Sequence, residues 1–186
     1  MNIPVILTLL RILAIPVIVI IYILPFHWAH PTAAILLGLA AFTDWLDGYL
    51  ARSLSQTTQF GAFLDPVADK LLVAVALVMV LSSHLIPYLG IASAIIIGRE
   101  IAISALREWM STIGKRVGVR VTHIAKYKTA IQMLSLGMLV WYYPGTSWQW
   151  LLWVGPILLY IAAFLTIWTM CIYLKAAWPD LKAGSM

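Results

Sequence analysis

Six long apolar segments fill this chain, and they constrain its fold more than any other feature. A helix that crosses a bilayer needs about 20 mostly apolar residues, and backbone polar groups inside a bilayer must bond within their own segment. Both conditions favour helices. The sequence therefore predicts an all-α integral membrane protein, a single domain over residues 1–186 with six transmembrane helices. These helices are expected at about 5–24, 33–52, 63–83, 87–110, 125–143 and 149–174.

The composition excludes a water-soluble protein. Charged residues make up 10% of the 186 and hydrophobic residues 63%, whereas a soluble domain carries about 25% charged residues. A disulfide-linked secreted scaffold is excluded too, because Cys171 has no second cysteine to pair with. The net charge of +5 indicates anionic headgroups or anionic substrates as partners, rather than nucleic acid.

The basic residues indicate how the chain is oriented. The loops after the first, third and fifth segments contain neither Lys nor Arg. All twelve basic residues lie toward the N-terminus, the loops after the second and fourth segments, the C-terminus or the adjacent helix ends. By the positive-inside rule that face is cytoplasmic, and both termini are expected on it.

Four of the seven carboxylates fall within two neighbouring segments. Carboxylates inside a membrane span are costly and functional by default. Asp44 and Asp47 share one face of the second helix, and Asp65 and Asp69 share one face of the third. On the far side of each pair lie eleven uncharged residues, about 16 Å of helix. We therefore expect the carboxylates to converge roughly halfway into a ~30 Å core, in an active-site cavity between helices 2 and 3 that opens to the cytoplasm.

Four converging carboxylates require positive charge to balance them. Oxygen ligands supplied only by aspartates suit Mg²⁺ or Mn²⁺ rather than Zn²⁺, and four of them suffice for two ions, the arrangement used in phosphoryl chemistry. Gly48, Ala51 and Gly61 leave space for a ligand to approach the backbone. The alternative interpretation, helix capping and solvated interfacial charge, does not require a second matching pair of aspartates.

These carboxylates belong to a longer pattern that resembles the signature of the CDP-alcohol phosphotransferase family at every position. The similarity to bacterial members continues through REIAISALREWM at 99–110 and the Lys126-x-Lys128-Thr129 stretch. The start of the chain departs from the family, since many members have Pro-Asn-x-Leu-Thr where this chain has Pro4-Val5-Ile6-Leu7-Thr8. The full pattern reads Asp44-x2-Asp47-Gly48-x2-Ala51-Arg52-x8-Gly61-x3-Asp65-x3-Asp69.

The resemblance implies a reaction and a set of roles. The likeness in helices 4 and 5 favours transfer of the phosphatidyl group from CDP-diacylglycerol to sn-glycerol 3-phosphate, giving phosphatidylglycerophosphate and CMP. It further implies a homodimer among the lipids of the bacterial cytoplasmic (inner) membrane. Asp69 is implied as the general base on the acceptor hydroxyl. The two Mg²⁺ or Mn²⁺ ions are assigned to Asp44, Asp47, Asp65 and Asp69, and the CDP part of the donor to Thr43, Gly48, Ala51, Arg52 and Gly61.

A phosphorylated acceptor needs cations of its own. Arg99 and Arg107 lie eight positions apart on a similar face of helix 4, and Arg99 lies well inside a span, so it must face a cavity or a partner. Arginine binds phosphate through two donors and lysine as a point charge. The alternative for the basic residues is positive-inside topology and headgroup contact. The acceptor phosphate is assigned to Arg99, Arg107, Arg120, Lys126 and Lys128.

Two other functions stay open at this point. A sister enzyme would use another acceptor, such as inositol phosphate, serine or phosphatidylglycerol, and the acidic motif alone does not separate these. A divalent-cation or proton-coupled transporter would also carry membrane carboxylates. Transporters usually contain repeats and midplane sites reachable from both sides, whereas this chain contains no internal repeat and its charge is confined to one side.

Overall fold

In the computed structural model the chain is helical throughout most of the part that is described, namely residues 3–53, 59–83, 86, 88–112 and 123–183. Within these ranges the side chains at 3–4, 45, 47–53, 59, 62, 123–126 and 179–183 lie outside the description. Each predicted segment corresponds to one helix, so the all-α prediction is confirmed. The helices are α1 Ile3–Tyr22, α2 Ala29–Ser53, α3 Gln59–Ser82, α4 Leu89–Thr112, α5 His123–Trp141 and α6 Leu151–Ala183.

Three helices are long and apolar enough to cross a membrane, over Val5–Tyr22, Leu89–Thr112 and Leu151–Trp178. The described residues of α2, α3 and α5 contain no stretch that is both long enough and apolar enough to cross a membrane. The acidic motif explains this for α2 and α3: in α3, for example, the uncharged stretch begins only at Leu71 and ends with the helix at Ser82, short of the ~20 residues that a span needs. A membrane protein therefore follows from the fold, whereas six spans remain a prediction.

The chain divides into two compact units. The first unit comprises Met1–Pro87 and Met133–Gly155, and so contains α1, α2, α3, the second half of α5 and the beginning of α6. The second unit comprises Tyr88–Gln132 and Pro156–Met186, and contains α4, the first half of α5 and most of α6. The acidic motif belongs to the first unit, and the described cations predicted for the acceptor belong to the second.

Among the described residues of the first unit, α1 packs against both α2 and α3, and each of these contacts is more extensive than the contact between α2 and α3. The packed faces are apolar, with Ile18 of α1, Leu37 of α2 and Leu77 of α3 all buried. The opposite face of α1 exposes Leu10, Leu13 and Val17, as expected for a surface that faces lipid. This packing presents one side of α1 to the acidic motif.

In the second unit the buried face of α4 is partly polar. It contains Ser93, Ile96, Arg99 and Ile103, which recur at helical spacing and so define one stripe. Arg99 is thereby carried into the interior of the unit rather than onto a charged surface. On α6 the threonines Thr166 and Thr169 are buried as well, giving the interior of this unit a polar character.

Candidate active site

The acidic motif is held together by a side chain from α1. Nη1 of Arg11 donates to Oδ1 of Asp44 on α2 at 2.7 Å and to Oδ1 of Asp69 on α3 at 2.6 Å. The Arg11 side chain is 0% exposed, while those of Asp44 and Asp69 are 41% and 48% exposed. Charge-assisted bonds of this length are among the stronger hydrogen bonds in proteins. The two halves of the motif therefore meet at one nitrogen, with their carboxylates still accessible.

A second contact from α1 reaches the remaining described aspartate. Thr8 lies three residues before Arg11, on the same face of the helix, and it is fully buried. Its hydroxyl donates to Oδ1 of Asp65 at 2.8 Å. Thus α1 contacts Asp44, Asp65 and Asp69, and the site is built by three helices rather than by α2 and α3 alone.

The predicted donor-binding residues are only partly described. Thr43 is half-buried on α2, its hydroxyl donates to the Ala40 carbonyl at 2.8 Å, and together with Arg11 it lines a cavity of about 180 Å³ between α1 and α2. Gly61 is buried on α3. The remaining predicted side chains lie outside the described residues, although their backbone belongs to α2: Asp47, Gly48, Ala51 and Arg52.

An apolar groove of about 640 Å³ lies in the same unit, between α2 and α5. Its α2 wall is made by Gly38 and Ala41, and Ala41 lies one turn before Asp44. Its α5 wall includes Gly137 and Trp141, and Trp148 closes it near the start of α6. Small residues on both facing helices leave the space open, and the lining suits a hydrocarbon chain.

The carboxylate oxygens of the motif are suitable ligands for a divalent ion, although the described residues do not complete a metal site. No group of three His, Cys, Asp or Glu side chains within ion-binding distance occurs among them, and Asp47 lies outside that search. Asp44 and Asp69 nevertheless place one oxygen each against a single cationic nitrogen. Carboxylate oxygens of this kind are the ligands that Mg²⁺ and Mn²⁺ prefer.

In the second unit, two of the predicted acceptor cations share one carboxylate. Oε1 of Glu100 accepts from Nζ of Lys128 at 2.9 Å and from Nη1 of Arg99 at 3.1 Å. Nη2 of Arg99 donates to the Thr169 hydroxyl at 3.2 Å. The buried Nε of Arg99 has no hydrogen-bond partner among the described residues. Its described members are two cations and one carboxylate, which leaves an excess of positive charge among them.

Of the other three predicted acceptor cations, only Arg107 has a described side chain. The guanidinium of Arg107 lies over the ring of Tyr173, 5.5 Å from its centroid, a cation–π geometry. Arg107 belongs to the same unit as Arg99 and Lys128 and adds a further positive charge to it. Lys126 lies in the first turn of α5 with its side chain outside the description, and Arg120 lies outside the described residues altogether.

Arg11 and Thr8 are the site residues that the sequence analysis did not assign. The sequence contained a signal for Arg11, because it is the single charged residue of α1. A charge inside an apolar span must face a partner, yet its position near the N-terminus also agreed with the positive-inside rule. Thr8 carried a signal too, because it matches the last residue of the family pattern Pro-Asn-x-Leu-Thr, but that pattern did not indicate a contact with Asp65.

The fold and the site define a helical membrane protein in which aspartates of two helices are joined by an arginine of a third. The chain belongs to the CDP-alcohol phosphatidyltransferase family, whose model matches residues 1–168. The resemblance predicted from the acidic motif is thereby confirmed.

Individual relatives match over almost the full length. The chain is 52% identical over 183 residues to the CDP-diacylglycerol–glycerol-3-phosphate 3-phosphatidyltransferase of Pseudomonas fluorescens, covering 98% of this chain and 93% of that protein. It is 49% identical over 180 residues to the protein of the same name from Salmonella typhimurium. It is 52% identical over 181 residues to that from Yersinia enterocolitica. These two matches each cover 97% of both chains.

Proposed function

We propose that this chain transfers the phosphatidyl group of CDP-diacylglycerol to sn-glycerol 3-phosphate, forming phosphatidylglycerophosphate and CMP. Family membership supports the reaction class, and three relatives at about half identity over nearly the whole chain are named for this donor and acceptor. The structural observation that carries the proposal is the meeting of Asp44 and Asp69 at Arg11, which brings both halves of the family motif together.

The reaction is a displacement at phosphorus. The acceptor hydroxyl forms a bond to the β-phosphorus of the donor, the bond from that phosphorus to the bridging oxygen breaks, and CMP leaves with the bridging oxygen. Asp69 is proposed to take the hydroxyl proton. It is suited to that role because its carboxylate is half exposed and therefore open to an incoming hydroxyl, while Arg11 fixes its direction.

Two divalent ions, Mg²⁺ or Mn²⁺, belong to the proposal. Such ions would neutralise the diphosphate and stabilise the leaving group. Asp44, Asp65 and Asp69, with Asp47, are the proposed ligands. The contacts of Asp44 and Asp69 with one cationic nitrogen support this, because they bring one carboxylate oxygen from each half of the motif next to the same positive charge.

The donor is proposed to bind along the first unit. Thr43, Gly48, Ala51, Arg52 and Gly61 surround its cytidine and phosphates in the proposal. An acyl chain would occupy the groove between α2 and α5, which begins one turn from Asp44 and is apolar enough for hydrocarbon. The lipid donor would then keep its chains within the membrane while its diphosphate reaches the carboxylates.

The acceptor phosphate is proposed to bind the cations of the second unit. The excess positive charge around Glu100 and the unsatisfied Nε of Arg99 support this choice, because a buried donor without a partner is costly until a ligand supplies one. Glycerol 3-phosphate offers the oxygens to satisfy it. Arg107, Arg120 and Lys126 are included as further cations of the same site.

The setting of the enzyme is part of the proposal as well. It would be a homodimer in the bacterial cytoplasmic membrane, crossing it six times as one domain, with both termini in the cytoplasm. The absence of Lys and Arg from the loops after the first, third and fifth segments supports this orientation.

The test uses purified full-length protein in lipid nanodiscs with CDP-diacylglycerol and isotopically labelled glycerol 3-phosphate. We expect CMP and a labelled phospholipid of the mass of phosphatidylglycerophosphate to appear at equal rates. A protein carrying Asp44→Asn serves as the control for co-purified activity. CMP formation that depends on serine or inositol phosphate instead would indicate a sister enzyme, and ion flux without CMP formation would indicate a transporter.

A further inference from the structure

Arg11 and its carboxylate partners differ in how far they are exposed. Its side chain is fully buried, whereas both of its carboxylate partners remain substantially exposed. An arginine stays protonated in proteins, so its charge must be balanced where it lies. Among the described residues, two aspartates on two other helices contribute to that balance, and both accept from the same nitrogen.

The geometry gives Arg11 an effect on the carboxylates that a neutral side chain would lack. Two like charges that face each other repel, and the repulsion is strong where water is scarce. A guanidinium between them removes that repulsion and fixes the directions of both oxygens. The oxygens it contacts belong to Asp44 and Asp69, which are ligands of the divalent ions in the proposed function.

We propose that Arg11 is a positioning residue that serves as a permanent counter-cation of the acidic motif. It holds Asp44 and Asp69 together while no divalent ion is bound, and it competes with an incoming divalent ion for the same carboxylates. The inference rests on the divalent site of the proposed function. Its consequence is a site that is assembled before the ions arrive, at the cost of weaker ion binding.

Competition between two cations for one ligand set is reciprocal, since each must weaken the binding of the other by the same factor. Removing the guanidinium charge should therefore strengthen divalent binding, even though it destabilises the ion-free protein. Arg11→Gln keeps a polar side chain of moderate length and removes the charge. A residue that only supported the fold would lower stability equally with and without ions.

The experiment compares wild type, Arg11→Gln, Arg11→Lys and Arg99→Gln as full-length proteins in detergent micelles. Thermal unfolding is followed after EDTA treatment and again with Mn²⁺, and Mn²⁺ binding is measured from the paramagnetic resonance signal of the free ion. Arg99 is the matched control, because it is another buried arginine paired with a carboxylate but belongs to the second unit.

Without ions, we expect Arg11→Gln to unfold at a lower temperature than wild type. Addition of Mn²⁺ should raise the unfolding temperature of Arg11→Gln by more than it raises that of wild type. Its Mn²⁺ affinity should rise about fivefold, the lower end of common coupling strengths. The Mn²⁺-induced shift and the Mn²⁺ affinity of Arg11→Lys should lie between those of wild type and Arg11→Gln, because lysine keeps the charge on a shorter side chain. Arg99→Gln should show the Mn²⁺-induced shift and affinity of wild type.

Folding of Arg11→Gln only in the presence of Mn²⁺ would also support the inference. An equal loss of stability with and without Mn²⁺, or weaker Mn²⁺ binding by Arg11→Gln, would overturn it. Should Arg11→Gln fail to fold in both conditions, Arg11→Lys decides, and a Mn²⁺ shift no larger than that of wild type rejects the inference. CMP release by wild type tests the reaction separately, so a wild type that turns over without binding Mn²⁺ would reject the counter-cation role and leave the transferase function standing.

Discussion

The hydroxyl of Thr8 on α1 donates to the carboxylate of Asp65 on α3 across 2.8 Å. Together with Arg11 this contact makes α1 part of the site, although the acidic motif begins only at Asp44. It also provides a conservative way to disturb the motif, because valine has nearly the shape of threonine and no hydroxyl.

Thr8→Val should lower the free energy of unfolding by about 1.5–3 kcal/mol, the usual worth of a hydrogen bond to a charged group. Thr166→Val is the matched control. Both threonines are 0% exposed, but the Thr166 hydroxyl has no hydrogen-bond partner among the described residues. Denaturant unfolding of the two variants in the same detergent measures the difference. Equal stabilities would mean that the bond to Asp65 contributes nothing.

Asp69→Asn should reduce the rate of CMP release by at least about 100-fold, the usual scale for loss of a general base. The amide keeps the shape of the carboxylate but cannot take the acceptor proton. Mn²⁺ binding is measured on the same sample, so that loss of a ligand is separated from loss of a base. Glu108→Gln, which neutralises an exposed carboxylate on α4, serves as the control. An Asp69→Asn protein that turns over within about threefold of wild type would rule out the base.

Arg99→Ala should raise the KM for glycerol 3-phosphate about 10- to 150-fold, which corresponds to loss of about 1.5–3 kcal/mol from a charged hydrogen bond. The KM for CDP-diacylglycerol should change far less. Steady-state kinetics with each substrate varied in turn measure the two values. As the control, Lys175→Ala removes an exposed cation of α6 and should leave both KM values near those of wild type. A selective effect of Arg99→Ala on the lipid donor would contradict the acceptor assignment.

Removal of divalent ions should abolish CMP release, and Mg²⁺ or Mn²⁺ should restore it. Without them the carboxylates of the motif would repel the donor diphosphate. The measurement is CMP release before and after dialysis against EDTA, with EDTA already saturated by Mg²⁺ as the control for chelator effects. Full turnover in ion-free buffer would reject the divalent site while leaving the substrates untested.

The sequence predicted each of the six helices that the structure describes, because long apolar segments in a membrane protein favour helices. It was less accurate at their ends. The second segment was expected from residue 33, but α2 begins at Ala29, because Pro31 falls in the first turn, where its missing N–H has no helical acceptor. The sixth was expected to end at 174, but α6 continues to Ala183, since a helix does not end where its apolar residues end.

The candidate site was predictable where spacing alone decides geometry. Regular spacing predicted that Asp44 and Asp47 share one face of α2 and that Asp65 and Asp69 share one face of α3. In the structure Asp44 and Asp69 meet at Arg11. The part played by α1 could not be predicted in the same way. Which face of α1 meets α2 and α3 depends on side-chain packing between distant segments, and neither helical periodicity nor motif spacing encodes that packing directly.

The most direct test of the account is an acceptor competition with the purified wild-type enzyme, CDP-diacylglycerol and equal concentrations of glycerol 3-phosphate, glycerol, serine and inositol phosphate. Mass spectrometry of the lipid products, with CMP release as the total, gives the share of each acceptor. We predict that phosphatidylglycerophosphate dominates and that glycerol is a poor acceptor, because it lacks the phosphate that the cations around Arg99 would bind. A dominant product from serine or inositol phosphate would contradict the proposed acceptor, and absence of CMP with every acceptor would contradict the transferase itself.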